Sequence, residues 1–105
     1  MNSVLRQKYA IQAVLATFTF AGESIPDYMH DGIAAYILDG RPCAHFLHAV
    51  ITGNLFEAAA RADDTNSRLL HVYAAFFRNH APASCYGGPK AYDRWLEMHR
   101  MERGE

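Results

Sequence analysis

The sequence predicts an all-α fold: one compact domain of four to five helices with a long central helix over about residues 54–79. Three observations carry this. Apolar side chains recur at three- and four-residue steps through most of the chain, the period of helices with one buried face. Glycine, proline and capping residues punctuate the chain at intervals that suit helix ends. The 105 residues are 50% apolar and 20% charged, the composition of a folded domain. That length suits a single domain over 1–105, with 1–22 as an N-terminal helix or extended arm and 24–102 as the helical core.

Taken in order, Val4, Ile11, Leu15 and Phe18 share one face, so the first helix spans 3–18, although the alternation in ATFTF (16–20) also allows a short extended piece. Gly22 to Ser24 is a break. Ser24 then caps a helix whose first turn holds Pro26 and Asp27 and whose buried stripe is Met29, Ile33, Tyr36 and Ile37, with Gly40 at its end. Pro42 opens a short helix in which Phe46, Leu47, Val50 and Ile51 face the core and Gly53 closes the last turn. Asn54 followed by Glu57 is a capping-box pattern, and the helix it starts continues to about Asn79, where the Ala81–Pro82 step stops it. After the loop PASCYGG, Gly88–Pro89 begins a last helix carrying Tyr92, Trp95, Leu96 and His99.

The long central helix contains an anomaly. Positions 55, 59, 62, 66, 69, 73 and 76 form one stripe of Leu, Ala, Ala, Asn, Leu, Tyr and Phe, so Asn66 interrupts an apolar seam and Asp63 lies beside it. A buried amide or carboxylate costs roughly 1–3 kcal/mol unless it is hydrogen-bonded, so partners are required. Three readings stand. Asp63 and Asn66 form a structural lock on the Gly40–Pro42 loop or on the orphan amides of a neighbouring helix, or they form the polar floor of a small ligand pocket, or the register slips and leaves both in water.

Composition excludes several classes. Ten basic and eleven acidic residues leave no electrostatic footprint for nucleic acid. No apolar run approaches the ~18 residues of a membrane span. Arg6 and Lys8 ahead of AIQAVLATFTFAG faintly resemble a signal peptide, but Gln12 and two threonines dilute the run and no small-x-small cleavage site follows. The expectation is a cytoplasmic protein in which Cys43 and Cys85 are free thiols, with a disulfide staple as the alternative. His45 and His48 lie three apart without a defined third ligand, so no metal and no cofactor are expected. No GxSxG, P-loop or GxGxxG occurs, and a Cys85–His nucleophile pair has no spacing to support it. Phe76 and Phe77 are adjacent on one helix and Phe56 is off the main stripe, an aromatic surplus that points to a homo-oligomer or a protein partner.

The stretches IPDYMHDGIAAYILDGRP, FLHAVITGNLFEAAARADDTN and NHAPASCYGGP, with Trp95 after them, resemble a group of short proteins encoded by bacteriophages and prophages. The matching positions are Pro26, Tyr36, Gly40, Pro42, Phe46, Leu47, Asn54, Arg61, Ala62, Asp63, Asn66, Pro82, Cys85 and Gly87. Tyr86 departs from the pattern, which has tryptophan there, and Gly53 beside Asn54 gives a slightly different turn. The resemblance implies a phage accessory protein in the cytoplasm of the host cell and no particular chemistry. By analogy with small helical phage proteins that interfere with host machinery, the expected function is counter-defence binding without enzymatic activity. In its concrete form, a homo-oligomer sequesters a nucleotide-type immune signal near Asp63, Asn66, Asn54 and Tyr36, with Arg61 meeting a phosphate. The alternative is a protein-binding inhibitor of a host defence complex, or a transcriptional modulator, that has no pocket and uses exposed aromatics such as Phe56.

Overall fold

The computed structural model describes the backbone from Ser3 to Glu105 and the side chains from Tyr9 onward. Six α-helices dominate it: α1 Ser3–Thr17, α2 His30–Asp39, α3 His45–Thr52, α4 Leu55–Arg61, α5 Leu70–His80 and α6 Pro89–Glu102. The chain is therefore mainly α-helical as expected, with six helices instead of four or five. Val4, offered as part of the first apolar stripe, lies outside the residues whose side chains are described.

The extended option for ATFTF is realised at its end. Thr19–Phe20 (β1) pairs antiparallel with Glu23–Ser24 (β2) across a two-residue turn, Ala21–Gly22, in which both residues have positive φ. That geometry matches the twist of a tight hairpin. Ser24 is consequently a strand residue and caps nothing. A 3-10 turn, Asp27–Met29, follows Pro26 and runs directly into α2. Pro42 is likewise not helical, because α3 starts only at His45 with extended Ala44 as its N-cap.

The main correction concerns the long central helix. It is two helices, α4 and α5, separated by extended Ala62 and a 3-10 turn at Asn66–Arg68. The segment Asp63–Ser67 is built from side chains that bond the nearby backbone in competition with the helical ladder. Asp63 Oδ1 accepts the Asn66 N–H at 2.7 Å, the Asp63 carbonyl accepts the Ser67 N–H at 2.9 Å, and Ser67 Oγ donates to the Asp64 carbonyl at 2.9 Å. The break also resets the helical phase. Ala58, off the supposed stripe, is the buried residue of α4, whereas Leu55 on that stripe is 62% exposed. After the break the stripe holds, and Leu69, Tyr73 and Phe76 are buried.

The turn between α3 and α4 is fixed by two motifs sharing one residue. The N–H groups of Gly53 and Asn54 return to the carbonyls of Val50 and Ala49, a Schellman ending with Gly53 at φ 77°. Asn54 then caps α4, its side chain accepting the Glu57 N–H at 3.1 Å. Asn54 is thus the N-cap as expected, but the reciprocal half of a capping box is absent, because the Asn54 N–H is taken by the Ala49 carbonyl and the Glu57 carboxylate turns to Arg61.

The core lies between α2, α3, α5 and α6. Ile33, Tyr36, Val72, Tyr73, Phe76 and Cys85 are all fully buried. Phe76 and Phe77 need no second subunit to cover them: Phe18 meets Phe76 edge-on with ring centroids 5.6 Å apart, and Tyr86 lies against Phe77 at 6.0 Å. The oligomer argument from that pair therefore falls away. Trp95 Nε1 donates to the Tyr36 carbonyl at 2.8 Å, which joins α6 to α2. Among the described residues, no helix is long and apolar enough to cross a membrane.

Candidate functional site

Asp63 and Asn66 do come together, with two tyrosines that the sequence reading had not assigned to them. Asn66 is only 3% exposed, and its Oδ1 accepts the buried Tyr73 hydroxyl at 2.5 Å. Its Nδ2 points to the Tyr28 hydroxyl oxygen at 3.4 Å, and that hydroxyl donates in turn to Asp63 Oδ2. The Asp63 carboxylate thus holds Tyr28 on one oxygen and the Asn66 backbone on the other. The Tyr28 hydroxyl, then the Asn66 amide, keep this carboxyl below its usual range, and the same bond raises the Tyr28 hydroxyl above its own. The network links the 3-10 turn before α2, the break between α4 and α5, and α5 itself. It is a polar lock, and its target is Tyr28, not the Gly40–Pro42 loop.

The other expected ligand residues stand apart from it. Tyr36 is fully buried, its ring stacked on Tyr92 at 5.4 Å and its hydroxyl donating to the Cys85 carbonyl at 2.6 Å, so neither face can receive a base. Arg61 pairs with Glu57 one turn away at 3.2 Å, both half exposed. Such a helical surface pair contributes about 0.3–0.5 kcal/mol. Asn54 spends its Oδ1 on the helix cap. The five residues do not line one pocket.

The hollow that the fold does form is elsewhere, between α3, α4 and α5. It has a volume of about 480 Å³. Ala49 and Val50 come from α3, Leu55 and Ala58 from α4, and Leu70, Ala74, Phe77 and Arg78 from α5, with Tyr86 and Gly87 closing one end. Its origin is visible in the composition: Ala49, Ala58 and Ala74 face it from three different helices, and no longer side chain fills the gap between them. Asn54 is the only expected site residue on its wall. It shares Gly53, Asn54 and Leu55 with a second, more open hollow that also touches His48, Phe56 and Pro89.

Comparison with protein-family models, curated proteins and solved structures returned no match. The chemistry must be read from the chain itself.

Burial pushes the Cys85 thiol up to about 11 and the Cys43 thiol up to about 12, the reverse of what activates a cysteine nucleophile. Both cysteines are free. His48 packs edge-on against Tyr92 with ring centroids 4.5 Å apart. Among the described residues, no three His, Cys, Asp or Glu side chains are grouped to hold a metal. Leu55 and Phe56 are the conspicuous surface feature, 62% and 86% exposed on the first turn of α4. The sequence signal for Phe56 was its position off the apolar stripe. Leu55 carried none, because its place on the apolar stripe of a single long helix implied burial.

Proposed function

We propose that this protein is a non-enzymatic binding module that docks on another protein through the Leu55–Phe56 ridge. In the phage setting implied by the sequence resemblance, this is a counter-defence inhibitor that occludes a host defence protein. The observation that carries the reading is the ridge itself. Two consecutive large apolar side chains stand in water on a helix start held rigid by the Gly53–Asn54 turn and the Asn54 cap. Burying such a side chain is worth about 1.5–3 kcal/mol, which the isolated domain forgoes at both positions. Phe56 is of the aromatic type enriched at protein interfaces, Leu55 adds apolar area beside it, and the rigid helix start lowers the cost of ordering them on binding. The nucleotide-trap form has less support, because the polar groups of the Asp63–Asn66 notch bond to one another.

The test is a plaque assay on bacterial hosts that each carry one defence system and express the protein. Wild type is expected to restore plating in at least one host. Leu55→Ser with Phe56→Ser should abolish that rescue while leaving the circular-dichroism melt within a few degrees of wild type. Rescue that survives this double change, or rescue in no host, would overturn the proposal. Rescue lost in Asp63→Ala with Asn66→Ala at unchanged stability would return the function to the notch.

A further inference from the structure

We propose that the alanine-lined trough between α3, α4 and α5 is a binding site for a freely diffusing single-chain amphiphile with an anionic head, the chain lying along α5 and the head on Arg78. The inference needs no protein partner, although the trough shares Leu55 with the ridge. It rests on the dimensions of the trough, on its wall chemistry and on one charge.

The volume of about 480 Å³ lies within the range of small-molecule sites. From Arg78 back to Leu70 the trough follows eight residues of α5, roughly 12 Å at the helical rise, the length of an extended decanoate chain. Along that path the floor is Phe77, Ala74 and Leu70 on one side and Ala49 and Ala58 on the other. The wall has few polar groups left to offer. The Gly87 N–H donates to the Ile51 carbonyl at 2.9 Å, the Gly53 and Asn54 N–H groups go back to α3, and Asn54 Oδ1 is used by the helix cap. Besides Arg78, the lining residues keep only the Asn54 Nδ2 and the Tyr86 hydroxyl without a partner among the described residues, fewer groups than a nucleotide demands. A hydrocarbon chain needs none.

Arg78 is the single charged residue on the wall. Among the described residues its guanidinium makes no ion pair or hydrogen bond, a state it shares with Arg41, Arg68 and Arg94, but of these four arginines it alone lines the trough. Its position in the last turn of α5 suits the helix dipole, which accounts for a cation at that end but not for its place on the wall of an apolar trough. A fork of N–H donors there selects an anionic head over a neutral or cationic one.

The experiment is an amide-resolved NMR titration with decanoate below its micellar concentration, beside decanol and decyltrimethylammonium. Decanoate should shift the Ala49, Ala58, Ala74 and Gly87 amides with saturation and bind more tightly than decanol. Arg78→Gln should weaken decanoate by roughly tenfold and leave decanol unchanged, since it removes a charge-assisted bond and no wall area. Ala74→Phe, at an exposed position where the fold tolerates bulk, should block both probes. Equal affinity for the three head groups, or shifts confined to the exposed Met98–Met101 face of α6, would overturn the assignment. So would a dimer in sedimentation that Ala74→Phe dissociates and decanoate does not, because the trough would then be filled by a second copy. Retention on phosphatidylglycerol vesicles, lost in Arg78→Gln, would overturn the free ligand in favour of a membrane surface.

Discussion

Replacing Tyr73 by phenylalanine removes one oxygen from the centre of the polar lock. Asn66 Oδ1 then loses the hydroxyl that meets it at 2.5 Å, in a residue only 3% exposed beside a tyrosine that is fully buried. Water cannot easily replace the donor, so the carbonyl is left with its desolvation uncompensated, at about 1–3 kcal/mol. The ring still fills its place, which keeps any cavity contribution small. For a domain of about this size each kcal/mol lowers the melting temperature by roughly 4–8 °C, so Tyr73→Phe should melt on the order of 10 °C below wild type. Tyr28→Phe is the control. It removes a hydroxyl from the same network, but at a residue 62% exposed, where water can take over the bond to Asp63. Its cost should be clearly smaller than that of Tyr73→Phe. Urea and thermal unfolding of both variants give the comparison, and Asn66→Ala combined with Tyr73→Phe should cost less than the sum of the two single changes. A Tyr73→Phe variant as stable as Tyr28→Phe, or additive behaviour of the pair, would refute the lock. Either result would mean that the notch is open to water and able to receive a ligand.

Two further outcomes follow from the same geometry. Gly40→Ala should destabilise by about 2–5 kcal/mol in urea unfolding, because a left-handed φ of 63° disfavours a Cβ and that Cβ would lie 2.4 Å from His99 Cβ. The pH dependence of the lock runs in one direction: Asp63 titrates below its ordinary value in the folded protein, so its contribution is complete above the unfolded carboxyl value and is lost as pH falls through the folded one. The melting-temperature gap between wild type and Asp63→Asn should therefore stay constant near neutrality and close only at pH values under about 3.9. A gap that persists unchanged in stronger acid would contradict the bond from Tyr28.

Most of the architecture was legible because helix ends are local events. Gly40 and Gly53 ended α2 and α3 in left-handed conformations, Asn54 capped α4, and Pro89 opened α6, each through a bond or a torsion that a few neighbouring residues determine. The error over 54–79 was also local. Asp63, Asp64, Thr65, Asn66 and Ser67 are five consecutive residues that favour caps and turns, a stronger local signal than the apolar stripe that continues on either side of them. The candidate site suffered from the same choice. Asp63 and Asn66 were rightly singled out as polar residues needing partners, but those partners, Tyr28 and Tyr73, are 35 and 7 positions away, and only the first requires tertiary folding to find. Tyr36 was misassigned for a different reason. Nothing in a tyrosine's neighbours distinguishes a ring stacked on Tyr92 in the core from one available to a ligand.

The alanines show why the rest was out of reach. Ala49, Ala58 and Ala74 look alike in sequence, as good helix formers that allow neighbours to approach. Two of them are buried, at 3% exposure each, and the third is open. An alanine opposite a helix at close range makes a tight contact, and the same alanine opposite a helix a little farther away makes the wall of a hollow. Which of these occurs depends on interaxial spacing, set here by the turn at Gly53–Asn54 and by the break at Ala62–Asn66. That break shortens α4 to seven residues and turns its apolar stripe away from the core. One five-residue stretch thus accounts for the exposed ridge as well as the unfilled trough beside it. The polar residues that looked like a binding site create the two surfaces best suited to binding by interrupting the helix, while their own hydrogen bonds are used in holding the interruption in place.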